Sequence, residues 1–375
     1  MTRRHTRWAL VPVLVLGLAL PGCRAETGPV KVGLAIPLTE AGNIPMRLGA
    51  ELAAKEINAA GGIGGRRLQL VERDDYDNAD SSVTVATALY NSDVVAVIGG
   101  AYSTLALAAA PVYNGGRRPL VQLSPSASSL LITTAGDYTF RLCPSDLAYG
   151  AALARYALDH GLRRAAVLYV DDEYGRGVRR TFAAEFSRIG GEVLELDPFL
   201  AAQPDVRPYL NRIMRDKRAQ VLILAANQGE GLAVLRQLQA HRVGLPVLAG
   251  DRMVGAERTA PVLMEGVLVS SAYIVGSTWD GNPRFVEAYR AAFPDAGPPD
   301  QGAAASYDAV RLLAQVIGVA GAKRPKVRDV LARVGNGDPP FTGVIGSVGF
   351  DDNGDVPTLG VQIGVARGGI LVPAE

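Results

Sequence analysis

The stretch "KEINAAGGIGGRRLQLVERDD" (55–75) carries four glycines within five residues, and what flanks them decides how they are read. A phosphate-cradling loop needs a strand, then the glycines, then a helix whose free N–H groups face the anion. Here the order is reversed. Leu48, Leu52 and Ile57 recur at helical spacing with Glu51 and Lys55 between them, so the segment before the glycines reads as an amphipathic helix. Gly61 and Gly62 supply the left-handed residue that ends such a helix, and "RRLQLVERD" alternates like a strand leaving it. The glycines stop a helix and start a strand, and no nucleotide site is expected there.

Around this junction, strand-like and helix-like stretches take turns. "VKVGLAIP" is followed by a helix over 46–59, "RLQLVER", a helix over 80–91, "VVAVIGG", a helix over 104–113 and "RPLVQLS". A second series runs "RAAVLYVDD", a helix over 176–189, "GEVLELD", a helix over 205–217, "AQVLILAAN", a helix over 230–241 and "LPVLAGD". Strands alternating with helices predict parallel sheets covered on both faces, here two doubly wound open lobes. "SRIGGEVLEL" (187–196) echoes "GGIGGRRLQL" (61–70). The echo is either a repeat of the whole lobe or the common look of a helix–glycine–strand junction. In the last third, "GVLVSSAY" reads as a strand and helices follow near 283–293, 303–320 and 326–334. The closing stretch has an Asn353-Gly354 pair between alternating apolar runs, which suggests a hairpin. The expected division is 29–143 with 271–346 for the first lobe and 144–270 with 347–375 for the second, so three crossings form a hinge.

The N-terminus reads as an export signal: "RRHTR" (3–7), an apolar run from Trp8 to Leu20, then "PGC". "LPGC" (20–23) resembles a lipobox, with Cys23 as the lipid-bearing first residue after removal of 1–22, although Pro21 departs from that pattern; ordinary cleavage nearby is the alternative. Lys plus Arg number 38 and Asp plus Glu 37, a balance that gives no reason to expect nucleic acid or an acidic surface as partner. No apolar run after Leu20 is long enough to span a bilayer, so membrane contact is expected through the lipid alone. With Cys23 in the anchor, Cys143 has no partner for a disulfide and is expected to be a half-buried residue between the lobes.

Catalytic machinery is not visible. Of three histidines one lies in the signal, and His160 and His241 stand where helices should end, favouring the negative end of the helix dipole. The turn "DDNGDV" (351–356) alternates Asp351, Asn353 and Asp355 but has valine where a calcium loop needs glycine and Gln362 where it needs glutamate. No metal, no cofactor and no enzymatic activity are expected.

Open α/β sheets bind ligands beyond the carboxyl ends of their strands. Ser103 and Thr104 follow one such strand at a helix start, where hydroxyls and unpaired N–H groups suit a carboxylate. "QLSPSASS" puts Ser124, Ser126 and Ser128 on the same rim. The facing lobe offers Tyr174, Asn227 with Glu230, and Asp251. The serines either receive a ligand or merely cap turns, and Asp251 pairs either with an ammonium group or with Arg252. Together the two walls complement a zwitterion such as a small amino acid.

The segments "VKVGLAIPLT", "GAELAAKEINAAGGIGGRRLQLVERDD", "VVAVIGGAYST", "LVQLSPSAS" and "YGRG" resemble the type I periplasmic binding proteins of branched-chain amino-acid ABC transporters, the leucine/isoleucine/valine-binding family. The resemblance spans essentially the whole chain after the signal. It implies a periplasmic or cell-surface monomer that captures a small molecule by two-lobe closure and delivers it to permease and ATPase subunits. A ligand-sensing subunit on the same fold is the alternative. It further implies that Ser103 and Ser128, with backbone around Ser126 and Ala127, hold the ligand's charged groups, that Asp251 stands for an ammonium-binding glutamate, and that Tyr174 closes over the ligand. Asn227 stands where amino-acid binders often carry an aromatic residue, and "TEAGNIPMRLG" (39–49) lacks their tyrosine. Asp77 and Tyr102 lie near the positions of the family's first-lobe cysteine pair. Valine or leucine is therefore not assumed as ligand.

Overall fold

The structure, a computed structural model, describes residues 28–202 and 204–374; the segment expected to be an export signal and Cys23 lie outside the described residues. The first series of elements is β1 (Val30–Ile36), α1 (Ile44–Ala59), β2 (Leu68–Asp74), α2 (Ala79–Tyr90), β3 (Ala96–Gly99), α3 (Ser103–Asn114), β4 (Val121–Ser124) and β5 (Thr139–Arg141). The second is α4 (Asp146–Asp159), β6 (Arg164–Val170), α5 (Glu173–Arg188), β7 (Glu192–Phe199), α6 (Arg207–Asp216), β8 (Val221–Ala225), α7 (Gln228–Ala240), β9 (Val247–Ala249), the short α8 (Ala256–Thr259) and α9 (Pro261–Met264), and β10 (Leu268–Ser271). The remainder is α10 (Asn282–Ala292), α11 (Gln301–Ala320), α12 (Arg324–Leu331), β11 (Phe341–Thr342), β12 (Ser347–Val348), β13 (Gln362–Arg367) and β14 (Ile370–Pro373).

The glycine junction behaves as its residues dictate. Ala60 closes α1, Gly61 and Gly62 take φ of +101° and +75°, and the Gly62 N–H donates back to the Ile57 carbonyl at 2.9 Å. Asn58 on the last helical turn then clamps the incoming strand, its side chain pairing with both the N–H and the carbonyl of Leu68.

The first sheet has the order β2-β1-β3-β4-β5, all parallel. Within the second, the run β7-β6-β8-β9-β10 is also all parallel, and β13 and β14 extend it antiparallel from β10. Matching the two runs strand by strand gives the same winding, so the sequence echo at 61–70 and 187–196 sits at topologically equivalent helix–strand junctions. Each sheet carries apolar residues on both faces, the first between a large cluster that includes α1, α10, α11 and α12 and a smaller one with α2 and α3. The second lies between clusters supplied by α6 and α7 on one side and α4 and α5 on the other.

α1 and α11 approach closely because Gly49 has no side chain: a Cβ there would lie 2.1 Å from the Ala303 carbonyl oxygen. Tyr307 on α11 closes the same interface by donating to Glu56 at 2.6 Å.

Two expectations need correction. The last crossing does not fall at 346/347: Val348, Phe350, Val356 and Leu359 are buried in the first lobe's core, and the chain rejoins the second sheet only at Gln362. The hairpin does not form at Asn353-Gly354. It joins β13 to β14 through Gly368 and Gly369, both at positive φ as a tight hairpin turn requires. Gly354 instead donates to the Asp351 carbonyl and accepts from the Arg141 N–H, docking the turn on β5. Asp351 is spent within that turn on the N–H groups of Asn353 and Asp355, and among the described residues no acidic or sulfur cluster could hold a metal ion. α4, which no expected helix range covered, begins at Asp146.

Candidate functional site

The loops after equivalent strands meet between the lobes. From the first lobe come Glu40 after β1, Tyr102 and Ser103 after β3, and Ser126 to Ser129 after β4. From the second come Asp172 to Tyr174 after β6, Asn227 after β8, and Asp251 with Arg252 after β9. Ser103, Ser128, Tyr174 and Asp251 are all buried, so the lobes are closed on one another. Direct contacts hold them there: Ser129 Oγ donates to Glu173 Oε1 at 2.8 Å, and Arg258 pairs with Asp300 at 2.5 Å.

The serine rim is set from below. Ser124 Oγ donates to the Gly100 carbonyl and accepts from the Ala127 N–H at 2.9 Å, folding the loop back over β4. Arg141, fully buried, donates through Nη1 to the carbonyls of Ser128 (3.0 Å) and Ser129 (2.8 Å), while its Nη2 engages Thr133 Oγ1 and pairs with Asp355 at 2.6 Å. Ser103 Oγ accepts from the Ser129 N–H at 3.2 Å, and Ser128 Oγ is buried with no hydrogen-bond partner. Ser103 is the first residue of α3 rather than its cap, which is Tyr102 without a side-chain bond. Thr104 is exposed and Ser126 half-buried, so of the expected hydroxyls Ser103, Ser124 and Ser128 are enclosed, alongside Ala127, and Ser124 is already taken up by the loop backbone.

On the facing wall, Tyr174 does not reach across to the other lobe. Its hydroxyl donates to Asp251 Oδ1 at 2.9 Å within its own lobe, leaving Oδ2 buried and unpartnered. Burial pushes the Asp251 carboxyl up to about 6, against the pull of Arg252 and of the Tyr174 hydroxyl. A second buried acid, Asp146, missed in the sequence, stands at the first turn of α4 with both oxygens unpartnered. Burial lifts it to about 7; the Ser128 hydroxyl is near enough to oppose that shift but makes no hydrogen bond of proper geometry to either oxygen, and Asp251 raises it further. Gly177 makes room for it, since a Cβ there would collide with Asp146 Oδ2.

Arg252, the alternative partner of Asp251 in the sequence, makes no hydrogen bond to it. Its guanidinium lies instead over two aromatic rings, 4.3 Å from the Tyr102 centroid and 4.5 Å from that of Tyr174, and Nη1 donates to Asn227 Oδ1 at 2.9 Å. Tyr102 is held in turn by Glu40, which accepts from its hydroxyl at 2.6 Å and from Asn43 at 2.7 Å. The signal for this arrangement in the sequence is a cation beside an acid at a strand end, with an amide at 227. Cys143 is fully buried, not half-buried, and desolvation pushes its thiol up.

Comparison with known proteins matches residues 29–369 to the periplasmic binding protein family, and the chain belongs to that family. Family membership implies a periplasmic location, and the family consists of solute-binding proteins. A Leu/Ile/Val-binding protein homolog from Brucella suis is 28% identical over 356 residues, covering 91% of this chain and 92% of that protein. The solved ABC transporter substrate-binding protein from Desulfitobacterium hafniense in complex with Leu is 28% identical with a TM-score of 0.79, over 92% of this chain and 100% of that one. The isoleucine complex of the branched-chain amino-acid transporter binding protein from Streptococcus pneumoniae has a TM-score of 0.82 at 24% identity, over 92% and 99%, a likeness of fold.

Proposed function

From that family membership we propose that this chain is the substrate-binding subunit of an ABC importer, capturing a small molecule between its lobes without changing its covalent bonds. The observation that carries the reading is the buried polar cluster between the lobes, in which Ser128 Oγ, Asp251 Oδ2 and both Asp146 oxygens make no hydrogen bond. Buried polar groups without partners cost free energy, and a ligand bearing complementary donors and acceptors relieves that cost only in the closed state. Differential contact of this kind shifts an open–closed equilibrium, and a transporter can read the closed form. The lobes hinge where the chain crosses, near 142–145, 271–274 and 359–361. Relatives whose names specify leucine or Leu/Ile/Val binding support an amino-acid-like ligand with its carboxylate toward Ser103 and Ser128. Asp251 then faces its ammonium group. The export signal and "LPGC" support attachment to the membrane through Cys23.

A thermal-shift screen of the mature chain against amino acids and small organic acids, followed by calorimetry, tests this. At least one compound raises the melting temperature, as any ligand of the native state does, and Ser128→Ala weakens it about 10- to 100-fold, the weight of a hydrogen bond to a charged group. If no compound shifts the melt and native mass spectrometry finds the purified protein empty, the reading is wrong.

A further inference from the structure

Resting on the binding reading above, we propose that Arg252 is an anion receptor and that the ligand is an acidic one, carrying a carboxylate beyond the group held by the serine rim. The argument is one of geometry. A guanidinium offers a carboxylate its best fit along the edge where two parallel N–H bonds point the same way. In this protein that edge, formed by Nε and Nη2, takes Glu185 from Arg188, Asp205 from Arg207 and Asp216 from Arg218. In Arg252 the same two nitrogens are buried and have no partner. Arg47, Arg141 and Arg179 each bury an unpartnered Nε but not an unpartnered Nη2 beside it; among the described residues, only Arg252 has the whole edge both buried and unpartnered.

The rest of the guanidinium is fixed. Its faces lie against Tyr102 and Tyr174, one from each lobe, and Nη1 is taken by Asn227. Its one remaining direction of recognition is therefore the Nε/Nη2 edge, held rigid and dry. The acids that feel its charge do not hydrogen-bond to it: Asp251, Asp146 and Asp77 are each pulled down by Arg252 but pushed further the other way by burial. They are driven toward their neutral forms and leave the cation incompletely balanced. A desolvated guanidinium fork with no anion is costly, whereas the same fork closed on a carboxylate is among the strongest polar pairs available. Branched-chain side chains offer nothing to that edge.

Calorimetry on the full mature chain tests the assignment with matched probes: L-glutamate against L-glutamine, succinate against succinamide, and L-leucine. Each acid binds at least about 100-fold more tightly than its amide, because replacing the charged acceptor leaves the fork unpaired. L-Glutamate against glutarate tells whether an ammonium group facing Asp251 adds to the affinity. Arg252→Met abolishes the preference for acid over amide, and Arg252→Lys, which keeps the charge but not the fork, retains only part of it. The wild-type comparison needs no variant and decides the matter if Arg252→Met fails to fold. Binding of L-leucine or the amides as tightly as the acids overturns the acidic class while leaving the binding function intact. Silence of the whole panel and of the wider screen overturns both.

Discussion

Removing the Arg141 guanidinium should cost the protein more than any other single polar side chain described here. The residue is fully buried, donates to two loop carbonyls and one hydroxyl, and pairs with an Asp355 whose own side chain is 18% exposed. Breaking a buried ion pair by deleting one partner costs about 3–5 kcal/mol, and the partial solvation of Asp355 puts the expected loss near the lower end, about 3 kcal/mol. At roughly 2–4 °C per kcal/mol for domains of this size, Arg141→Met should melt about 6–12 °C below the parent by circular dichroism. Asp355→Leu in the Arg141→Met background should recover part of that loss, because it removes the stranded carboxylate, and the cycle should show a coupling of about 1–3 kcal/mol. A melting temperature within 2 °C of the parent, or strictly additive effects in the double variant, would refute the claim that this pair sets the serine loop.

Gly49→Ala should destabilise by about 1–3 kcal/mol in denaturant titration, because the new methyl meets the Ala303 carbonyl and α1 and α11 must part. Unchanged stability would mean the helices slide past one another freely. The buried acids give a pH dependence of definite sign. Asp146 and Asp251 have carboxyls raised to about 7 and about 6, mainly by burial, so the closed folded state holds protons that the unfolded chain releases above about pH 4. Stability should therefore fall as pH rises from 4 through 7, by up to about 1.4 kcal/mol per unit for each group while it still holds its proton. The slope should flatten in Asp146→Asn, and a parent whose melting temperature rises steadily from pH 5 to 7 would contradict it.

The fold was readable because its two periods are strongly marked: the alternating strands and the glycines at 61–65 leave few ways to wind the chain. The local turns were harder. Asn353-Gly354 has hairpin chemistry, but the flanking apolar residues Val348, Phe350 and Val356 are claimed by the first lobe's core, so the reversal moves to Gly368-Gly369. The place of Ser103 and Ser128 on the interlobe rim is legible from their position after strands. That of Arg252 is not, because its role depends on two rings and an amide contributed by residues 102, 174 and 227, a meeting that no local window contains. Asp146 escaped for a similar reason, since its burial depends on Gly177 thirty-one positions away and on the opposite lobe.

The pairing of α1 with α11 also bears on the order in which the chain can assemble. The Tyr307 hydroxyl and the Glu56 carboxylate that it meets are separated by 251 positions, so the surface of α1 stays uncovered until nearly the whole polypeptide has emerged. The second lobe's parallel strands, by contrast, come from one uninterrupted stretch between β6 and β10. During synthesis, the later-encoded half can therefore reach its native packing before the earlier one is complete. A nascent chain arrested at residue 300 would display the small-residue face of α1 to whatever holds unfinished proteins.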